Sequence, residues 1–346
     1  MRPSIQPEGL LEHIGLWTNA GPVPVAEAMF GMAMSRVLMA GARLGIFAEL
    51  AHGSAMPADI AKRRELDEPG VKHLLDCLAA MGHVVRIKTG YAFTRRARPW
   101  LDPTSPTYVG PFLEFNYDQW EWWSGLEEVV KTGRGYEIHG YEADDPRWER
   151  YIRAMFLLAR FSAPEVARKL RLPSQPTSLL DLAGAHGWFA AELCNRHSGL
   201  RATVLDLPGS ARIGRQIIAE CGMSDRVTHV DGDMLTDDVG GPHDAALCFQ
   251  VIHHLSPEQN VALFRRVHAA LKPGGVLAVM DYFTPPEGRR PDAAAFLGLH
   301  FYLTSSAATY GPEDLKAWLA KAGFERPRRL RLYRVPVQTV FEAKRT

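Results

Sequence analysis

The chain carries little that would tie it to a metal cluster, a nucleic acid or a membrane. Its four cysteines, Cys77, Cys194, Cys221 and Cys248, are far apart and form no C-x-x-C pair, so a thiolate zinc site is not expected. The net charge at pH 7 is only +1, which offers no bulk attraction for nucleic acid or for an anionic membrane. We therefore expect neither as a partner.

Long uncharged apolar runs and export signals are also missing. No such run reaches the roughly 18 residues of a transmembrane helix. The N-terminus has no basic segment followed by an apolar one, so no signal peptide is expected and a cytoplasmic location is predicted. The 346 residues are 46% hydrophobic and 23% charged, which allows a sizeable core in one large or two ordinary domains.

The N-terminal part of the chain predicts helices and one hairpin. Residues 25–50 are apolar nearly all round, which a helix tolerates only when it is buried, and the excess over what a small domain needs predicts a partner subunit. A helix start at 56–61, a helical pattern over 68–81 and a hairpin over 83–94 follow, which is the order of a winged helix. Such a domain could bind DNA, but the chain has no net basic charge to support this.

An aromatic concentration over residues 108–160 has two interpretations. Most of these rings are expected in helix cores, but some could form the wall of a site for a flat or apolar substrate. The residues predicted for that wall are Phe112, Asn116, Trp120, Trp123, Met155 and Phe156. Prolines at 173–176 then mark a boundary, so we predict a domain over 1–107, a helical linker and substrate lid over 108–172, and a catalytic domain over 173–346.

From residue 177 the chain alternates strands and helices. Strands are predicted at 179–183, 201–206, 226–230, 244–249 and 275–282, and helices at 187–197, 209–221, 256–271 and 311–322. This pattern predicts a parallel, doubly wound sheet. Two final strands, at 328–333 and 337–343, are joined by a turn too short for a parallel pair. The predicted fold is therefore an α/β, Rossmann-like sheet of seven strands with the last strand antiparallel.

The carboxyl ends of the first strands carry groups suited to a ligand. After the first strand, Gly184 and Gly187 allow a turn in which backbone approaches the ligand closely, next to Asp181. Asp206 ends the second strand, where it can accept both hydroxyls of an adenosine ribose. At the third strand, Asp233 can accept a hydrogen bond from an adenine amino group. The remaining predicted cofactor contacts are Leu207, Met234, Phe249 and Gln250.

The glycine turn distinguishes between two cofactors. A dinucleotide needs a third glycine and an open helix N-terminus for its pyrophosphate, but here the bulky Trp188 and Phe189 follow Gly187. S-adenosylmethionine has no phosphate, and its cationic sulfonium and amino groups suit acidic strand ends. The sequence therefore favours S-adenosylmethionine.

Taken together, these segments resemble class I S-adenosylmethionine-dependent methyltransferases. The whole chain is similar to the caffeate/hydroxyneurosporene-type small-molecule O-methyltransferase family. The matching motifs are Asp181–Gly187, Leu205–Pro208, Gly232–Met234 and Leu271–Gly275. The resemblance implies an N-terminal winged-helix-like dimerisation domain, a homodimer with intertwined N-terminal domains, and a small-molecule substrate of secondary metabolism, as in antibiotic biosynthesis.

The resemblance also implies catalytic residues. His253 falls on the family's general base, which takes the proton of the substrate hydroxyl as the methyl group moves. Asp281 falls on the acidic residue that orients this base. His254 stands where the family usually has Asp, and His300 lies in a segment on the substrate side, so both are predicted to contact the substrate.

Three hypotheses remain open at this point. The first is O-methylation of a hydroxyl on an aromatic or polyketide-like molecule, with His253 as base. The second is metal-dependent C-methylation of a 2-oxo acid, with zinc or iron held by His253, His254 and His300. Adjacent residues of a strand point to opposite faces, which counts against this set unless the chain turns there. The remote third is a winged-helix sensor that binds S-adenosylmethionine or DNA without catalysis.

Overall fold

The computed structural model describes residues 9–18, 22–285, 293–335 and 337–346. The chain divides into two compact units whose boundary falls between Gln119 and Trp120, inside a helix. The division over 1–107, 108–172 and 173–346 stays a prediction.

The N-terminal unit consists of helices and one β-hairpin, in the order that the sequence predicts. The elements are α1 (Leu10–Trp17), α2 (Val23–Arg43), α3 (Ile46–Ala51), α4 (Pro57–Arg64), α5 (Glu68–Ala80), β1 (Val84–Ile87), β2 (Gly90–Phe93), α6 (Arg98–Leu101) and α7 (Gly110–Trp123), which crosses the boundary. β1 and β2 are antiparallel. Phe47, Ile60 and Leu75 are fully buried and form the centre of the unit's core.

The apolar run near the N-terminus forms two helices rather than one. The chain breaks between α2 and α3 because Gly45 adopts a left-handed conformation, with φ 73°. Met39, near the end of α2, is buried in the core, whereas Val25, Met29 and Met32 are 60%, 55% and 60% exposed. These three follow i, i+4, i+7 spacing, so they share one helix face. Among the described residues, α2 is also the one helix that by length and composition could cross a membrane.

The C-terminal unit is built on a seven-stranded sheet. Its strands are β3 (Ser178–Leu182), β4 (Arg201–Asp206), β5 (Val227–Asp231), β6 (His243–Phe249), β7 (Leu271–Asp281), β8 (Arg328–Arg331) and β9 (Thr339–Lys344). Its helices are α8 (Leu126–Thr132), α9 (Pro146–Lys169), α10 (Trp188–Arg196), α11 (Pro208–Glu220), α12 (Pro257–Ala270), α13 (Ala293–Ser305) and α14 (Pro312–Lys321). The sequence pattern does not predict helix α13.

The strand order is β5-β4-β3-β6-β7-β9-β8. Strands β3 to β7 are parallel, and β9 runs antiparallel to both of its neighbours, β7 and β8. The predicted Rossmann-like sheet with a reversed last strand is therefore confirmed. Successive strands move outward from β3 to β5 and then return to β6, so the direction reverses between β3 and β6. Ligands of such sheets bind beyond the carboxyl ends of the strands at this point.

Alternate side chains of the central strands enter two separate cores. Leu179 packs on one face of the sheet, whereas Leu180 and Leu182 pack on the other, and all three are essentially buried. This alternation follows from the pleat of a strand, and burial on both faces explains the continuous apolar runs in the sequence. The sheet is therefore a rigid base for the loops at its carboxyl edge.

Candidate active site

The glycine turn after β3 is held in an uncommon backbone conformation. Ala183, Ala185 and Gly187 all have positive φ, at 48°, 46° and 66°. A Cβ at Gly184 would lie 2.4 Å from the carboxyl carbon of Asp181, so only glycine fits there. The turn therefore brings bare backbone directly against the Asp181 carboxyl group, as a close ligand approach requires.

Asp206 ties this turn to the end of β4. Its two carboxyl oxygens accept hydrogen bonds from the backbone N–H groups of Ala185 and Leu207, both at 2.7 Å. Its own carbonyl accepts from the N–H of Gly232 at 2.9 Å, which fixes the start of the next loop. In that loop Asp233 accepts from the N–H of Leu235 at 2.8 Å. The structure thus brings the predicted cofactor residues of three strands together at one edge.

Two buried carboxyl groups dominate the electrostatics of this edge. Burial, together with the neighbouring Asp206, raises the pKa of Asp181 to about 8, and burial raises the pKa of Asp206 to about 6. The Oδ2 atom of Asp181 is buried and has no hydrogen-bond partner. Such a site suits a ligand with cationic groups and hydroxyl donors. S-adenosylmethionine has a sulfonium, an ammonium and ribose hydroxyls, so the residues present fit it.

The other predicted cofactor residues lie beside the turn or at the end of the neighbouring strand β6. Leu207 and Ala185 of the turn are partly buried against the same hydrophobic cluster, which contains Trp148, and Met234 is half-buried against the core. Phe249 meets Phe189 edge-on with ring centroids 5.0 Å apart. Gln250 has φ 60°, and its N–H donates to Met280 on β7 at 2.7 Å.

Two histidines whose role the sequence does not indicate also contact the turn. His229 Nε2 is 2.9 Å from the carbonyl oxygen of Ala185, and His186 Nδ1 accepts from the N–H of Trp188 at 3.0 Å. Burial lowers the pKa of His229 to about 4 and that of His186 to about 3, so both are neutral at pH 7. His186 lies within the Asp181–Gly187 motif, but the motif does not indicate its hydrogen bond with Trp188.

The catalytic pair predicted by resemblance is in contact. His253 Nδ1 lies 2.8 Å from Asp281 Oδ1, and both side chains are almost fully buried. A carboxylate can only accept, so Nδ1 carries the hydrogen and Nε2 keeps its lone pair. The ring of Phe301 stacks on His253 at 3.7 Å with an interplanar angle of 8°. The imidazole is therefore fixed in both orientation and tautomer.

The chain turns where the two adjacent histidines lie. Residues 252–254 form a short 3-10 helix, which Asn260 fixes by donating to the carbonyls of Ile252 at 3.0 Å and Leu255 at 3.2 Å. Because of this turn, the rings of His253 and His254 are on one side, with centroids 4.0 Å apart. The objection that a strand would separate them therefore does not apply.

Three more imidazoles lie around the His253–Asp281 contact, and they belong to His254, His139 and His300. His254 Nδ1 lies 2.9 Å from Ser305 Oγ, and its ring is 4.5 Å from that of His139. His300 stacks on Trp123 at 6.2 Å. Burial lowers the pKa of His139 and of His300 to about 4, and that of His254 well below its usual range. These three rings are neutral at pH 7, and His139 had no signal in the sequence.

The residues predicted to line the substrate site lie in several separate parts of the structure. Trp123 lies beside His300, but Phe156 packs on His186 and Trp188 at the glycine turn, with centroids 6.0 Å and 5.5 Å away. Trp120 on α7 and Met155 on α9 are half-buried in the same unit. Phe112 and Asn116 belong to the N-terminal unit, where they contact Phe115 and Gln119. Their role at the substrate stays a prediction.

No arrangement for a metal ion is found in the described ranges. There, no group of three or more His, Cys, Asp or Glu side chains is placed to hold one. His253 and His254 each use Nδ1 in a contact with protein, and His300 Nδ1 is buried without a partner. The metal set His253, His254 and His300 stays a hypothesis.

Comparison with known proteins identifies both units. Residues 123–325 match the model of the O-methyltransferase domain, and residues 26–103 match that of the O-methyltransferase dimerisation domain. The N-terminal unit therefore carries a dimerisation domain, which includes most of α2.

Similar proteins include two from Streptomyces species and one solved human structure. The tetracenomycin polyketide synthesis 8-O-methyltransferase TcmO of Streptomyces glaucescens is 30% identical over 88% of this chain and 91% of its own length. The N,N-dimethyltransferase OxyT of Streptomyces rimosus is 28% identical over 89% and 93%. Human N-acetylserotonin methyltransferase, solved with S-adenosylmethionine, is 21% identical over 93% and 96%, with a TM-score of 0.82, and shares the fold.

Replacing Asp181 by Asn should stabilise the unliganded protein. The folded pKa of Asp181 is raised, so the unfolded chain releases this proton first and stability falls as pH rises from about 4 towards 8. Asn cannot ionise, so the gain in melting temperature of D181N over the original protein should increase across that range. Thermal melts followed by circular dichroism at several pH values measure it.

Asp244 is the matched control for this experiment. It lies at the start of β6 and accepts from Thr177, Ser178 and Lys272, and these bonds lower its pKa to about 2 despite its burial. Its contribution is present above its ordinary pKa and lost on acidification, so D244N should lower the melting temperature at neutral pH. If D181N also lowered it at pH 8, the description of Asp181 as a strained, desolvated group would be wrong.

Proposed function

Because the chain belongs to the O-methyltransferase family, we propose that it methylates a hydroxyl of an aromatic small molecule of secondary metabolism, with His253 as general base. The observation that carries this proposal is the His253–Asp281 contact of 2.8 Å, which leaves Nε2 of a buried imidazole free to accept a proton. The rings of Trp122, Trp123 and Phe301 around the histidines favour a flat acceptor.

The protein's own residues perform three tasks in this reaction. When bound, S-adenosylmethionine supplies a methyl group activated by a positive sulfonium. His253 Nε2 takes the proton of the acceptor hydroxyl, and Asp281 holds the ring in place and stabilises the imidazolium that forms. Phe301 fixes the ring plane, and the buried setting keeps water away from the base. Positioning of the two reactants supplies much of the remaining rate.

The cofactor residues are assigned by the same proposal. Asp206 would accept the ribose hydroxyls, since each of its oxygens has a lone pair beyond its backbone hydrogen bond. The unpartnered Oδ2 of Asp181 would accept from the ammonium group near Gly184 and Gly187. Asp233 and Met234 would contact the adenine. Leu207, Phe249 and Gln250 would complete the walls.

The presence of a general base distinguishes an oxygen acceptor from a nitrogen acceptor. One similar protein is named an N,N-dimethyltransferase, so the fold also serves nitrogen acceptors. A neutral amine attacks through its lone pair before it loses a proton, whereas a hydroxyl gains most of its nucleophilicity on deprotonation. A buried His–Asp pair with a free Nε2 therefore favours oxygen.

Removal of the base should separate chemistry from binding. The variant H253A should lower kcat by at least about 100-fold, because general-base catalysis contributes that much or more. Its affinity for S-adenosylmethionine, measured by titration calorimetry, should stay within about twofold of the original. The exposed His73 on α5 gives the control H73A, which should leave both unchanged. Full activity of H253A would refute the assignment.

Metal removal should not affect turnover. His253 and His254 already use Nδ1 in contacts with protein, and the described residues offer no group of three ligands. Methyl transfer after dialysis against a chelator should therefore match that of untreated protein, and elemental analysis should find no stoichiometric metal. A loss that added zinc or iron(II) restores would favour the metal-dependent C-methyltransferase instead.

We further propose that the exposed face of α2 mediates a homodimer. Val25, Met29 and Met32 line this face inside or next to the matched dimerisation domain. A contiguous apolar face of this kind is costly to leave in water. A cytoplasmic location, and the lack of nucleic-acid and membrane partners, stay predictions of the sequence.

A charge placed on the α2 face should dissociate the dimer. M29D and M32D should shift the sedimentation coefficient of the protein from dimer to monomer, because each places a carboxylate in an apolar interface. Val130, 60% exposed on α8, provides the control V130D, which should leave the dimer intact. A monomeric original protein at micromolar concentration would contradict the proposal.

A further inference from the structure

The end of helix α13 anchors two imidazoles that come from distant parts of the chain. Ser305 Oγ contacts His254 Nδ1 at 2.9 Å. One residue further, Ser306 Oγ accepts from the N–H of Gly135 at 2.9 Å, and the carbonyl of Leu303 accepts from the N–H of Tyr136. The loop that carries His139 is therefore tied to the same helix turn as His254.

The loop lies flat on this helix end because of Gly135. A Cβ at that position would come within 2.7 Å of the backbone nitrogen of Ser306 and 2.9 Å of the carbonyl oxygen of Leu303. Any larger residue would lift the loop, so glycine permits the contact. Residues 138–140 then form a short 3-10 helix that places the ring of His139 4.5 Å from that of His254.

Ser305 can hold His254 in one tautomer. Its Oγ lies 2.9 Å from His254 Nδ1 and 3.3 Å from the carbonyl oxygen of Phe301, so a hydroxyl that donates to this carbonyl accepts from Nδ1. In that arrangement His254 Nε2 keeps a lone pair, as His253 Nε2 does. His139 Nε2 lies 3.5 Å from the hydroxyl of Tyr151. Because both rings are neutral, the pair can accept a hydrogen bond from a hydroxyl without introducing charge.

We propose that His139 and His254 form a second acceptor-binding subsite, which binds an oxygen substituent next to the hydroxyl that His253 deprotonates. The inference rests on the proposed function. The rings of His253 and His254 lie only 4.0 Å apart, so two groups bound by them must be close neighbours on the acceptor. The acceptor class is then an aromatic compound with two adjacent oxygens, placed ortho on one ring or peri on fused rings.

Paired acceptors test this subsite. Methyl transfer is measured to 1,2- and 1,8-dihydroxynaphthalene, which carry a neighbouring oxygen, and to 1- and 2-naphthol, which lack it. The variants are H139F and H254F, which keep a ring but remove its nitrogens, and the control is H73F on the surface of α5. Acceptor binding is measured separately by quenching of tryptophan fluorescence, since Trp122, Trp123 and Trp148 lie among these rings.

The original protein should prefer the dihydroxy compounds in kcat/KM. H139F and H254F should each reduce this preference by about fivefold to tenfold, the value of one neutral hydrogen bond, mainly through KM and the binding constant. The double variant should lose little more than the larger single effect, because both rings bind one oxygen. H73F should keep the full preference.

Two outcomes separate this inference from the function on which it rests. If the original protein methylates both classes equally, or if the variants lower activity equally on both, the subsite is refuted while O-methylation stands. If the original protein transfers no methyl group to any hydroxyl of the panel but methylates amines, the proposed function itself fails.

Discussion

The buried hydrogen bond between Asp281 and His253 is the constraint on which the acceptor site depends. A carboxylate in a dry interior must be matched by donors, and Asp281 receives them from His253 Nδ1 and from the N–H of Tyr282, both at 2.8 Å. Both bonds go to one oxygen, and the other oxygen is buried without a partner. If the imidazole rotated, the buried carboxylate would also lose its hydrogen bond from Nδ1. This cost keeps the ring in place and Nε2 directed at the acceptor.

The cofactor edge is arranged differently. There, Asp206 accepts from two backbone N–H groups, Asp181 Oδ2 has no hydrogen-bond partner, and burial raises the pKa of both carboxyl groups. The Asp281 carboxylate thus binds a side chain of the protein, the imidazole of His253, whereas Asp181 Oδ2 has no donor from the protein and suits a cationic ligand. The seven-stranded sheet makes this division possible, because β6 and β7 carry the first group while β3 and β4 carry the second.

The sequence predicted the sheet well because its signals are local. Apolar runs of strand length, glycine turns and helix caps appear within a few residues of each other, so the strands β3 to β9 fall close to their predicted positions. The contacts of His253 with Asp281 came from resemblance rather than from spacing. The single apolar helix over 25–50 was wrong, because Gly45 breaks it where the pattern continues.

Other parts of the site have no local signal. His139 contacts His254, 115 positions further along the chain, because Gly135 lies flat on a helix that the sequence did not indicate. α13 is apolar on nearly every face, so periodicity could not identify it. Phe156 packs on His186 of the glycine turn, a contact that the sequence does not indicate, and its role at the substrate stays a prediction.

Helix α13 gives the protein a separable part. It supplies His300 and Phe301 directly, and its last turn holds His254 and the loop of His139. None of the contacts described for Asp181, Asp206 or the glycine turn involves it. Substitutions within this one helix could therefore change the acceptor specificity without disturbing the cofactor contacts. New specificities of this fold would accordingly arise most readily in α13.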